Sequence, residues 1–143
     1  GLPFIPGDEP RAALEITTVL PSNDTIIFIG THLDHLKNET NRIMQAKEIN
    51  NVFYSNTYPT ILAGDLNAEP DSKTIAILEE MWTASYTKDS LKYTYPSDNP
   101  IKKIDYVMFY PANRWKVLET RVIQDTIASD HCSYLVTLQL LDE

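Results

Sequence analysis

One stretch limits the fold of this chain more than any other: Ile61-Leu62-Ala63-Gly64-Asp65-Leu66-Asn67-Ala68-Glu69-Pro70, an apolar run that ends on an aspartate followed two residues later by an asparagine. A short, unbroken apolar run opened by Tyr58-Pro59-Thr60 predicts a strand covered on both faces, and Gly64 lets the backbone bend before the polar pair. Side chains two apart on an extended chain face the same way, so Asp65 and Asn67 would address one small volume at the rim of a sheet. An Asx turn at a strand end accounts for the same pair in purely structural terms. The other polar clusters of the chain weigh between the two.

The flanking segments predict an α/β arrangement around that strand. Leu2 to Pro10, with three prolines and a glycine, reads as an extended leading loop. Arg11–Leu20 and Thr25–Gly30, separated by Pro21-Ser22-Asn23-Asp24, read as an antiparallel hairpin. From Glu39 to Ser55, Ile43, Ala46, Ile49 and Phe53 recur at helical spacing, with Asn38 as cap and Arg42 as an exposed or flanking cation. Strand, crossover helix and strand would then form an α/β unit in which the second hairpin strand runs parallel to the Asp65 strand if the two are neighbours. Pro70-Asp71-Ser72 starts a second helix carrying Ile75, Leu78 and Trp82, and Thr83 to Asn99 reads as an irregular loop. Lys102 to Phe109 is a strand interrupted by Asp105, preceded by two lysines read as solvated. Trp115 to Gln124 alternates with Trp115, Val117, Glu119, Arg121 and Ile123 on one face, and Ser133 to Leu141 is the last strand.

The polar residues that fall at strand ends or on a strand are His32, Asp65, Asn67, Asp105, Asp130 and His131. Asp34 stays undecided, and His35 reads as a loop residue. Sheet rims are the usual place for chemistry in α/β folds. Carboxylate and amide oxygens suit a hard cation such as Mg²⁺, and a histidine with a carboxylate on its far nitrogen suits proton transfer from water near neutral pH. An aspartate set among Ile104, Tyr106, Val107 and Met108 needs a donor or cationic partner, because a lone buried carboxylate is costly. Cys132 and Ser133 are better explained as residues entering the last strand than as nucleophiles.

At 143 residues the chain suits one domain. Its formal charge of −8 argues against a surface that coats nucleic acid. No apolar run reaches membrane-spanning length. A single cysteine excludes an internal disulfide and leaves cytoplasmic and exported locations both open.

Thr31-His32-Leu33-Asp34-His35, Gly64-Asp65-Leu66-Asn67, Lys103-Ile104-Asp105-Tyr106 and Ser129-Asp130-His131, in this order and at these separations, resemble the endonuclease/exonuclease/phosphatase superfamily of deoxyribonuclease I-like fold. Glu9-Pro10-Arg11-Ala12-Ala13-Leu14 also resembles the strand before the first histidine motif, and Tyr95-Pro96 followed by Lys102 to Tyr106 resembles the smaller bacterial metal-dependent hydrolases of the group. The resemblance implies a mixed α+β fold: the C-terminal half of a four-layered α-β-β-α sandwich, one mixed sheet with two main helices. Residues 1–143 would form a single partial domain, the N-terminal half with its asparagine and metal-binding glutamate being absent. The implied activity is metal-dependent hydrolysis of a phosphate mono- or diester with Mg²⁺ or Mn²⁺, a small molecule or phospholipid head group being favoured over nucleic acid. Asp65 and Asn67 would position water and phosphate, His131 would act beside that water with Asp105 orienting it, Asp130 would help hold the metal, and His32 would bind a phosphate oxygen. The isolated chain is expected to be inactive and to self-associate or bind the missing half. The alternative is a catalytically silent interaction module of the same fold.

Overall fold

The computed structural model describes residues 1–143. Its centre is a mixed five-stranded sheet of order β1-β2-β3-β5-β4, from β1 (Ala13–Val19), β2 (Thr25–His32), β3 (Thr60–Asp65), β4 (Thr83–Ala84) and β5 (Asp105–Tyr110). The expected hairpin forms, β1 pairing antiparallel with β2 across a turn in which Asn23 takes a φ of 71°. Helix α1 (Thr40–Phe53) carries the chain over one face, so β3 returns parallel to β2 while β5 runs antiparallel to β3. Helix α2 (Lys73–Glu79) lies on the same face and starts where Ser72 accepts a hydrogen bond from the amide of Ile75. No helix is long and apolar enough to cross a membrane.

Alternation along the strands divides the apolar residues between two cores. Ile27, Ile29, Leu62 and Met108 pack beneath the helices against Ala46, Ile49, Phe53, Ile75, Leu78 and Trp82. Their neighbours Ile26, Ile61 and Phe109 face the opposite way and meet Trp115, Val117, Leu138 and Leu140 of a separate two-stranded sheet, β6 (Trp115–Ile123) and β7 (Ser133–Leu140). This smaller sheet adds a further layer to the sheet-and-helices unit. A register shift between Val117 and Glu119 breaks the single alternation predicted for β6: beyond it Thr120 and Val122 are half-buried, and Glu119, Arg121 and Ile123 are exposed.

The inner sheet face is only partly covered. Leu14 and Ile16, which pair with Gly30 and Phe28, are 71% and 55% exposed. Between the sheets lies a wholly apolar groove of about 470 Å³ that includes Phe28, Ile61, Val107, Trp115 and Leu138.

Two expectations about charged residues fail. Arg42 is buried, its Nη1 donating to the carbonyls of Asp34 and Leu36 at 3.0 and 2.6 Å. With Asn41 and Gln45 it forms a polar first half of α1 that holds two loops: Gln45 accepts from the amide of Asp34, and Asn41 accepts from that of Ile5. Helical spacing alone put apolar residues on this face, but a loop with free carbonyls needs donors opposite it. Lys103, read as solvated, is fully buried, its Nζ 3.1 Å from the centre of the Tyr134 ring with Tyr106 and Tyr86 beyond. Burial pushes the Lys103 amine down to about 7, and three tyrosine ring faces stand where water would otherwise surround it.

Gly64 sits where the backbone of β2 comes close to that of β3. Its φ is 151°, and a Cβ there would lie 1.8 Å from the carbonyl oxygen of Thr31. We predict that Gly64→Ala destabilises the fold by about 3 kcal/mol or more, read from urea unfolding, because neither the backbone angle nor the space admits a side chain.

Candidate active site

The strand register builds the site. His32 pairs with Asp65 across β2 and β3, and Asp65 pairs with Asp105 across β3 and β5. Adjacent strands in register point paired side chains to one face, so these three residues form a row at the sheet end, on the face turned toward the smaller sheet. His131, just before β7, meets the row from across the gap. Its Nδ1 lies 2.9 and 3.1 Å from the two carboxylate oxygens of Asp105, and its Nε2 lies 3.6 Å from Oδ2 of Asp65. The Nε2 of His32 reaches the same Oδ2 at 3.3 Å.

Each acid is held by a second group. Thr94 donates its hydroxyl to Asp105 at 2.6 Å, and the amide of Asn67 donates to Oδ1 of Asp65 at 2.9 Å. That second bond is an Asx turn, and Asn67 has a φ of 47°. The strand ends at Asp65, so a turn, not a continued extended chain, brings Asn67 to the site; its Nδ2 is tied to the carbonyl of Leu33 at 3.0 Å. The structural and functional readings of the pair therefore describe one arrangement.

The electrostatics follow from two neighbouring carboxylates in a half-buried place. Burial raises the pKa of Asp65, and the charge of Asp105 adds to this, against the lowering pull of the Asn67 amide and the two histidines. For His131 burial works against the imidazolium, but the hydrogen bond and charge of Asp105, with Asp65 and Asp130, outweigh it and the net shift is upward. Since Asp105 is the acceptor, the imidazole carries its proton on Nδ1 and turns Nε2 toward Asp65. Burial and Asp105 push the Cys132 thiol up, which keeps it a small apolar filler.

A cleft of about 1110 Å³ opens over His32, Asp65, Asn67, Asp130 and His131. Asp130 is exposed at its edge, outside the tight cluster of Asp65, Asp105 and His131, whose ligating atoms lie within 4.8 Å of one another and could hold a metal ion. Asp34 is buried, its Oδ2 accepting from the amide of Leu36, a loop-shaping role. His35 lines the same cleft. Sequence reasoning missed Thr94, and left open Tyr95, whose ring packs on His131 with centroids 4.8 Å apart. The signal was the turn-rich Pro96-Ser97-Asp98-Asn99-Pro100 between two less polar flanks: it closes a bridge between Tyr95 and Lys102 that lays Thr94 beside Asp105.

No protein-family model and no curated protein sequence matches the chain. Solved structures do. A conserved protein of unknown function from Enterococcus faecalis aligns with 97% of this chain and 60% of its own length at 23% identity and a TM-score of 0.81. An endonuclease/exonuclease/phosphatase from Bacteroides vulgatus aligns with 92% of this chain and 56% of its own at 19% identity and a TM-score of 0.78. A mannosyl-6-phosphatase from Bacteroides thetaiotaomicron aligns with 92% and 58% at 21% identity and a TM-score of 0.68. This chain thus spans under two thirds of the length of these proteins. Its strand order and helices are those of a layered α+β sandwich. That fold is the deoxyribonuclease I-like fold of endonuclease/exonuclease/phosphatase proteins.

Asp105→Asn should lower the His131 titration point, followed by imidazole NMR, because the hydrogen bond is kept in form while the charge is lost. The sign for stability follows: with the native pKa above the ordinary 6.5, the pair's contribution is fully present below that value and is lost as pH rises through the native one. Stability of the wild-type chain should therefore fall across that window more than that of Asp105→Asn.

Proposed function

We propose that residues 1–143 are a single partial domain, the C-terminal portion of a metal-dependent hydrolase that splits a phosphate mono- or diester with an activated water. The observation that carries this reading is the row His32–Asp65–Asp105 with His131 closing onto it, a set that unites a proton acceptor, a fixed tautomer and a second, exposed imidazole beside the same carboxylate.

In this reading water is held by Asp65 and Asn67, and its proton passes to the Asp65–His131 pair, whose facing atoms stand 3.6 Å apart. Asp105 keeps Nε2 of His131 free to accept and stabilises the imidazolium that forms. His32, on the exposed side of the row, binds a non-bridging phosphate oxygen and offsets charge in the transition state. The carboxylates of Asp65 and Asp130 have the hard oxygen donors that suit Mg²⁺ or Mn²⁺, whereas Asp105 is committed to Thr94 and His131. When bound, the ion would polarise the phosphate and lower the pKa of water.

The chain's charge of −8 favours a small phosphate ester or a phospholipid head group over nucleic acid. A mannosyl-6-phosphatase of the same fold supports a phosphate monoester. The silent-module reading has less support, since a module without chemistry has no need to keep the Thr94–Asp105–His131 chain intact.

The exposed inner face, with Leu14, Ile16 and Phe28, completes the proposal: it is the seat of the N-terminal half or of a second copy. Size-exclusion chromatography with light scattering should show this chain as a dimer or larger, and a stable monomer would count against an uncovered face. In the uninterrupted enzyme, Asp65→Ala and His131→Ala should each lower kcat on phosphate esters by about 10² to 10⁴-fold, and a chelator should abolish turnover, while this chain alone is inert. An enzyme indifferent to both substitutions would end the proposal.

A further inference from the structure

The cleft has a second wall that the proposed reaction does not use. The segment before β1, the loop after β2 and the first turn of α1 bring Glu9, Arg11, His35, Lys37, Glu39 and Arg42 to the same opening as His32 and Asp65.

Arg11 is firmly fixed there. Its side chain is 11% exposed, its Nη2 donates to Glu9 at 2.7 Å, and the same nitrogen meets Nδ1 of His35 at 3.1 Å. Nε is enclosed without a partner, and Nη1 makes no hydrogen bond yet stays accessible. Arg42 repeats the pattern: it is 7% exposed, Nη1 is spent on two loop carbonyls, and Nε is enclosed and unpartnered. A guanidinium has five donors in a planar fork, and an enclosed donor without an acceptor is costly. A mere strut between Glu9 and His35 needs no idle donor at a cleft wall.

Charge points the same way. In a chain of net −8, this wall sets three permanent cations, Arg11, Lys37 and Arg42, against two carboxylates. Both carboxylates are already engaged, Glu9 by Arg11 and Glu39 by the hydroxyl of Thr74. The rest of the lining carries Asp65, Glu69, Asp71 and Asp130 against one cation, Lys102, and has no arginine.

We propose that Arg11, with His35 and Arg42, forms a subsite for a second anionic group, a phosphate or carboxylate carried by the alcohol half of the ester. This rests on the phosphoesterase reading and narrows it to substrates with two anionic centres. Arg11 offers the anion its free Nη1, Glu9 and His35 hold the guanidinium plane, and Arg42 supplies charge and fixes the loop that bears His35.

The three histidines make the two ends of the cleft separately visible, since His35 reports on the wall and His32 and His131 on the catalytic row. Inorganic phosphate titrated into the metal-free chain should move the His35 imidazole resonances saturably. Arg11→Gln should weaken that response at least tenfold while the His32 and His131 responses persist. Glu9→Gln, which removes the competing carboxylate and leaves the guanidinium in place, should strengthen it several-fold, an effect that a strut would not give. Acetate in a parallel titration identifies the class: a matching response supports a carboxylate, and a response to phosphate alone supports a second phosphate. A silent His35, or a response unchanged in both variants, overturns the subsite. Movement of His35 with none at His32 and His131 supports the subsite, and the phosphoesterase reading then stands or falls separately on turnover by the uninterrupted enzyme with Mg²⁺.

Discussion

The pairing of β3 between β2 and β5 is the constraint on which the site depends. Register, not loop flexibility, puts His32, Asp65 and Asp105 in line, since each is the partner of the next at the end of its strand. A slip of one residue in either pair would turn an acid to the helix side, into the core around Leu62 and Met108. Gly64 helps hold this register, because the close approach of its Cα to the Thr31 carbonyl leaves no alternative packing for any residue with a side chain.

The same register sets an electrostatic problem. Two carboxylates on neighbouring strands repel, and half-burial raises the cost. The structure answers with donors to both acids, Thr94 and His131 to Asp105 and the Asn67 amide to Asp65, and sets the two imidazoles near Oδ2 of Asp65. What remains is an upward pull on the pKa values of both Asp65 and His131. The His32–Asp65–Asp105 row stands at the sheet end while Arg11 comes from the segment before β1, so the cleft joins two separately built parts.

Much of this was legible in the sequence. The hairpin, the parallel β2–β3 pair and the Ser72-started helix follow from apolar period, turn residues and capping, which are local signals. The need of Asp105 for a partner was likewise readable from its apolar neighbours. Its identity was not readable from spacing, because His131 lies 26 positions away in the turn before β7, and only the resemblance implied the pairing. Arg42 and Lys103 misled for one reason: a charged residue was assigned to water, whereas loop carbonyls and tyrosine rings solvate these two inside the protein. The break in β6 alternation is a bulge between Val117 and Glu119, and no composition cue marks it.

If the row is a phosphate-hydrolysing centre, the oxygen added to the product comes from water and lands on phosphorus. The most direct test is turnover of a phosphate monoester in ¹⁸O-labelled water by the uninterrupted enzyme with Mg²⁺, followed by mass analysis of both products. The account predicts one ¹⁸O in each phosphate released and none in the alcohol. Label in the alcohol, or phosphate released without label, would contradict it.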